Sequence, residues 1–108
     1  MSELSLNSQE DFAKQGAQLL TAMANAKRFA ILTILQEGEQ SVGNLSEMVG
    51  LTQSALSQHL AKLRHARLVT TRRDAQTVYY SSNSKSVSKI LATLEEIAGA
   101  LVKVPRAA

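Results

Sequence analysis

Two apolar patterns of helical spacing, with a sharp break between them, constrain residues 41–66 more than any other part of the chain. In "SVGNLSEMVG" Leu45, Met48 and Val49 face inward, Ser41 can start the helix and Gly50 breaks it. In "LTQSALSQHLAKLR" the N-cap is Thr52, and Leu56, Leu60 and Leu63 form a stripe at i, i+4 and i+7. That second helix runs to about Arg64–Ala66. A short helix, a tight glycine turn and a second amphipathic helix make a helix-turn-helix.

The flanking segments complete a small fold. Phe12, Gly16, Leu19, Leu20 and Met23 recur at helical spacing over about Gln9–Met23. Asn25 then caps "AKRFAILTILQEG", where Phe29, Ile31, Leu32, Ile34 and Leu35 are apolar nearly all round, so this helix should be central; Gly38 ends it. After the helix-turn-helix the period changes. "LVTTRRDAQTVYYSS" is rich in Val, Thr and Tyr and reads as a β-hairpin over roughly 68–73 and 77–81, which makes the helix-turn-helix a winged one. A last helix, about 84–102, carries the stripe Val87, Ile90, Leu91, Leu94, Ile97, Ala98 and Leu101. The expected architecture is mainly α with a small β-hairpin: one domain over 9–102 between loose tails at 1–8 and 103–108.

The face of the second helix opposite its leucines is polar but almost uncharged: Gln53, Ser54, Ser57 and Gln58. A helix that needed only solubility would usually carry Glu and Lys there. Gln can bond bidentately to adenine N6 and N7, and Ser is small and can donate or accept, so this face suits the DNA major groove. The helix N-terminus itself favours a phosphate. Lys62, one turn beyond Gln58, is placed for a phosphate. Arg72, Arg73, Gln76 and Thr77 flank the wing tip, where Arg suits backbone contact or a narrow minor groove. Lys27 and Arg28 either touch the DNA backbone or are plain surface charges.

Charge distribution supports a polyanionic partner. Residues 1–50 carry net −3, residues 51–108 carry net +6, and between Leu51 and Tyr80 five bases face one acid, Asp74. The chain has no Cys, which removes disulfides, thiolate metal sites and thiol redox sensing. No run approaches the ~20 apolar residues of a membrane span, and the acidic, polar "MSELSLNSQEDF" is no signal peptide, so a cytoplasmic protein is expected. His59 has no ligand-spaced partner on its helix and reads as a neutral ring packed at the helix-turn-helix edge with one nitrogen bonded. No nucleophile–base pair, metal constellation or phosphate loop points to an enzyme, so neither catalytic residues, metal nor cofactor are expected.

Taken together, "AMANAKRFAIL", "VGLTQSALSQHLAKLR" and "LVTTRRDAQTVYYS" resemble the ArsR/SmtB family of winged-helix transcription regulators, over roughly residues 15–95. The resemblance is greatest to the family's metal-independent members. Metal sensors of that family place Cys in the third helix, where this chain has "SVGNLSEMV", or His, Asp and Glu along the last helix, where it offers only Glu95 and Glu96. Ala75 stands at the wing tip where the family often has Gly, which leaves the turn type open. The resemblance implies a homodimer built on the first and last helices, with Phe12, Leu19, Met23, Ile90, Leu94, Ile97 and Leu101 at the interface, and double-stranded DNA bound by the fourth helix and the wing. The expected function is that of a sequence-specific repressor on a pseudo-palindromic operator. The alternatives are a winged-helix protein-interaction module or a regulator responding to an unidentified small molecule.

Overall fold

In the computed structural model, which describes residues 6–101 and the side chains of 7–99, the predicted order of helices and hairpin is present, with one strand added. The elements are α1 (Leu6–Met23), α2 (Ala26–Glu37), β1 (Gln40–Ser41), α3 (Val42–Val49), α4 (Gln53–His65), β2 (Thr70–Asp74), β3 (Thr77–Ser81) and α5 (Lys85–Leu101). The sheet is three-stranded, not a lone hairpin. β1 pairs antiparallel with β3, Gln40 opposite Tyr80 and Ser41 opposite Tyr79, so β3 is central. Two residues are too few to show alternation, so β1 had no legible signature. Helix α1 begins at Leu6, against an expected start near Gln9.

Polar caps start the helices. Asn25 Oδ1 accepts from the N–H groups of Lys27 and Arg28, Ser41 Oγ from Asn44, Thr52 Oγ1 from Ala55 and Ser84 Oγ from Val87. Within the core, Ile31, Leu32 and Leu35 of α2 meet Leu45 and Val49 of α3 and the three leucines of α4, closed by Leu68, Val69, Tyr80 and Val87. Gln36 ties α2 to the start of α5: its Nε2 donates to the Ser82 carbonyl and its Oε1 accepts from Ser88 Oγ. Two methionines are placed differently from expectation. Met48 is exposed, because Leu45 and Val49, one turn apart, already define the buried face of so short a helix. Met23, expected between subunits, is only 4% exposed and belongs to the protomer's own core.

Both helices of the helix-turn-helix are closed at their C-terminal ends by a residue in the left-handed conformation. After α3, Gly50 has φ +69°; its N–H bonds to the Glu47 carbonyl, and Leu51 N–H bonds to Ser46 O at 3.0 Å. Ser46 Oγ donates back to the Leu51 carbonyl and clamps the turn. After α4, Arg67 has φ +61°, with Arg67 N–H bonded to Arg64 O and Leu68 N–H to Leu63 O, both at 2.9 Å. This is a Schellman closure, with Leu63 and Leu68 both buried beside it. Glycine takes that backbone conformation freely, whereas a side chain costs about 1 kcal/mol or more.

Arg28 is the main departure from expectation. It is not a surface charge: it is 7% exposed. Its Nε donates to the Ala22 carbonyl at 2.6 Å and its Nη2 to the Thr21 carbonyl at 3.3 Å, satisfying the C-terminal end of α1. Its Nη1 lies 3.3 Å from His59 Nδ1. One guanidinium thus joins α1, α2 and α4. The His59 pKa is lowered, first by burial and then by the positive charges of Arg28, Lys62 and Lys27, so the ring is neutral and Nδ1 accepts. This agrees with the packed, singly bonded histidine expected from sequence.

Two outcomes follow from these contacts. Arg67→Gly should raise stability by about 0.5–1 kcal/mol, seen as a higher urea midpoint with unchanged slope; a lower midpoint would contradict the strain assignment. For His59 the folded state resists protonation, so below the ordinary value of 6.5 the unfolded chain binds the extra proton. Its contribution is therefore complete above that value and is lost as pH falls toward the lower, folded value. Urea midpoints at about pH 7.5 and about pH 5.5 should differ more for the wild type than for His59→Gln; equal differences would rule this linkage out.

Candidate nucleic-acid interface

Burial of Leu56, Leu60 and Leu63 fixes the rotation of α4 about its axis. Gln53, Ser54, Ser57 and Gln58 are consequently all exposed on the first half of the helix. The helix contains no acid, and its two fixed positive charges, Lys62 and Arg64, stand in the last turn, where they complement the helix dipole. At the other end, where Thr52 Oγ1 accepts from Ala55 N–H, the positive end of the dipole favours an anion, with no acid in the first turn to compete. Each side chain on the uncharged face can donate and accept, and none adds a fixed charge.

The cations around this face are not equivalent. Lys62 is exposed, one turn beyond Gln58. Lys27 sends its Nζ to the Val49 carbonyl at 2.5 Å and so helps close α3 beside the turn. Arg64 donates to the Tyr80 hydroxyl at 3.3 Å, linking α4 to the sheet. Glu39 and Tyr79, neither singled out from sequence, govern Arg72. The Arg72 guanidinium lies 4.3 Å from the Tyr79 ring centroid and reaches Glu39 with two hydrogen bonds of 2.7 and 2.8 Å. Arg72 stands opposite Tyr79 across the β2–β3 pair, and Glu39 directly precedes β1 on the far side of β3. The hydrogen bonds hold the Glu39 carboxyl below its usual range and push Arg72 upward. Without β1, the sequence offers no reason to bring residue 39 to residue 72.

Successive strand residues point to opposite faces, so Arg73 stands across the wing from Arg72 and Asp74. The acid and the engaged arginine share one face, and Arg73 has the other. At the tip, Ala75 and Gln76 form a two-residue turn flanked by the pair Asp74–Thr77. Ala75 has φ +56° and Gln76 has no positive φ, the pattern of a type II′ turn. Gln76 and Thr77 are exposed there.

Away from this face, α1 and α5 leave apolar side chains uncovered. Phe12 is 63% exposed and Ile97 48%, with Leu20 and Leu94 also exposed. Leu19 and Ile90 are half-buried against the protomer's core, and the Leu101 side chain lies outside the described residues. Among the described residues no three His, Cys, Asp or Glu side chains are grouped to hold a metal ion, and no helix is long and apolar enough to cross a membrane.

Comparison with known proteins agrees with this geometry. Residues 25–71 match the family model of the bacterial regulatory proteins of the arsR family. The nodulation protein NolR of Rhizobium meliloti is 59% identical over 81% of this chain and 71% of its own length. The transcriptional activator HlyU of Vibrio cholerae is 45% identical over 87% of each chain. The crystal structure of NolR from Sinorhizobium fredii superposes with a TM-score of 0.83 at 57% identity, covering 92% of this chain and 98% of that one. With the winged helix, the exposed polar face of α4 and these relatives in agreement, the chain belongs to the arsR family of bacterial DNA-binding transcription regulators.

Proposed function

We propose that the chain is a metal-independent repressor that binds a pseudo-palindromic operator as a homodimer and occludes a promoter. The observation that carries this reading is the exposed, acid-free, uncharged first half of α4, with free cations beside it rather than within it. Gln53, Ser54, Ser57 and Gln58 read base edges, while Lys62 and the N-terminus of α4 hold phosphates. On the wing, Arg73 with Gln76 and Thr77 contacts the backbone or the minor groove. Arg72, locked to Glu39, sets the pose of the wing, and Lys27 adds charge at the turn while bonded to Val49. Phe12, Leu94 and Ile97, together with the exposed Leu20, supply the apolar surface that a second copy buries, with Leu19 and Ile90 beneath it. Two-fold symmetry sets two α4 helices ~34 Å apart, on successive major-groove faces.

Selection from a random DNA pool, repeated over a salt series, tests the reading. An enriched inverted repeat and a negative log–log salt slope are expected, and recovering no sequence at any salt would sink it. On the selected site, changing Gln53 or Gln58 to Ala should relax base preference by ~1–3 kcal/mol at one position per half-site. Lys62→Ala should weaken all sequences alike. Arg73→Ala should reduce the salt slope by about 1 per protomer, and Arg72→Ala by less, because Arg72 is already paired. Equal slopes for the two wing variants would refute their different roles.

A further inference from the structure

Beyond Gln58, α4 turns from the exposed face toward α1, and the two helices leave an open cleft of about 860 Å³ between them. That volume is in the range of small-molecule sites. The cleft has a consistent chemistry. Ala17, Ala22, Ala61 and Ala66 give it smooth apolar walls, Lys14, Lys62 and His65 line it with nitrogen donors, and no acid lines it. Arg28 also forms part of the wall. This arginine is more than nine-tenths buried, and its described partners are two carbonyls and a neutral imidazole, with no carboxylate among them. A guanidinium has five N–H donors, and three of them meet those acceptors. A buried cation balanced only by dipoles gains from a carboxylate brought within reach.

We propose that the α1–α4 cleft is a binding site for a small organic carboxylate with a compact apolar body. The alanines take the body, and Lys14, Arg28 and Lys62 attract the charge. A bare inorganic anion would leave the apolar walls uncovered. Occupancy also reaches DNA binding, because Lys62 lines the cleft and is the phosphate-holding lysine of α4; this second part rests on the operator-binding reading above. An anion drawing on that ammonium competes with the DNA backbone for it.

The probe is 1-naphthoate, titrated into DNA-free protein while the alanine methyl signals are followed by NMR. Saturable shifts at Ala17, Ala22, Ala61 and Ala66 are expected, with the neutral 1-naphthamide and the bodiless acetate each at least about ten-fold weaker. Lys14→Gln and the cleft-filling Ala17→Leu should each weaken naphthoate at least about three-fold. Equal binding of naphthamide, shifts confined to the exposed apolar residues around Phe12 and Ile97, or full binding by both variants would overturn the site. In a second arm, naphthoate should weaken binding to the selected operator several-fold, and Lys14→Gln should blunt that response while leaving ligand-free DNA affinity unchanged. Cleft binding with unaltered operator affinity would overturn the coupling. The NMR arm uses no DNA, so failure of the operator-binding reading is distinguishable from failure of the site.

Discussion

The leucine stripe of α4 is the constraint on which the rest depends. Leu56, Leu60 and Leu63 are essentially fully buried, and a helix held by three such residues cannot rotate without exposing them. Full burial of one leucine is worth roughly 1.5–3 kcal/mol, more than any single exposed polar contact supplies. The stripe therefore fixes which side chains of α4 meet solvent. It presents the glutamines and serines of the first half outward and turns Ala61 and His65 toward α1. The proposed base-reading face and the α1–α4 cleft are two stretches of one helix surface, separated by about one turn.

Position along the chain is set by the helix ends. Gly50 and Arg67 close α3 and α4 in the left-handed conformation, and Thr52 starts α4 three residues after α3 ends. Arg28 adds a polar tie, joining the carbonyls at the end of α1 to His59 on α4. A comparable device holds the wing, where Arg72 spans the Tyr79 ring to Glu39. In both places an arginine makes its described contacts within the protein, Arg28 buried and Arg72 at the surface of the wing. Low charge on the reading face follows a division of roles: charge supplies affinity for any phosphate backbone, and amides and hydroxyls distinguish base edges.

Much of this was legible in the sequence because helices announce themselves through spacing and caps. Asn25, Ser41 and Thr52 cap as their residue types require, and the leucine stripe was readable from i, i+4 and i+7 alone. What escaped depends on contacts distant in sequence. β1 is two residues long and exists only through its pairing with β3. The roles of Arg28 and Arg72 depend on His59 and Glu39, more than thirty residues away in each case. Met23 and Met48 were misassigned because period locates an apolar face but not its edge, where one residue goes in and its neighbour out. Of the residues that the family resemblance implied for a dimer interface, Phe12, Leu94 and Ile97 are exposed, with Leu20 beside them, whereas Met23 lies in the protomer's core.

That an uncharged amide on α4 reads a base edge in the major groove is tested at the level of atoms by a cycle between protein and DNA. Operator duplexes would carry 7-deazaadenine in place of single adenines in each half-site, which removes the N7 acceptor and keeps base pairing and phosphates intact. Binding would be compared for the wild type, Gln53→Ala and Gln58→Ala. If a glutamine of α4 bonds adenine N7, there is one adenine at which the analogue weakens the wild type but no longer affects one of the two glutamine variants, a coupling on the order of 1 kcal/mol or more. Strictly additive losses at every adenine, for both variants, would contradict it.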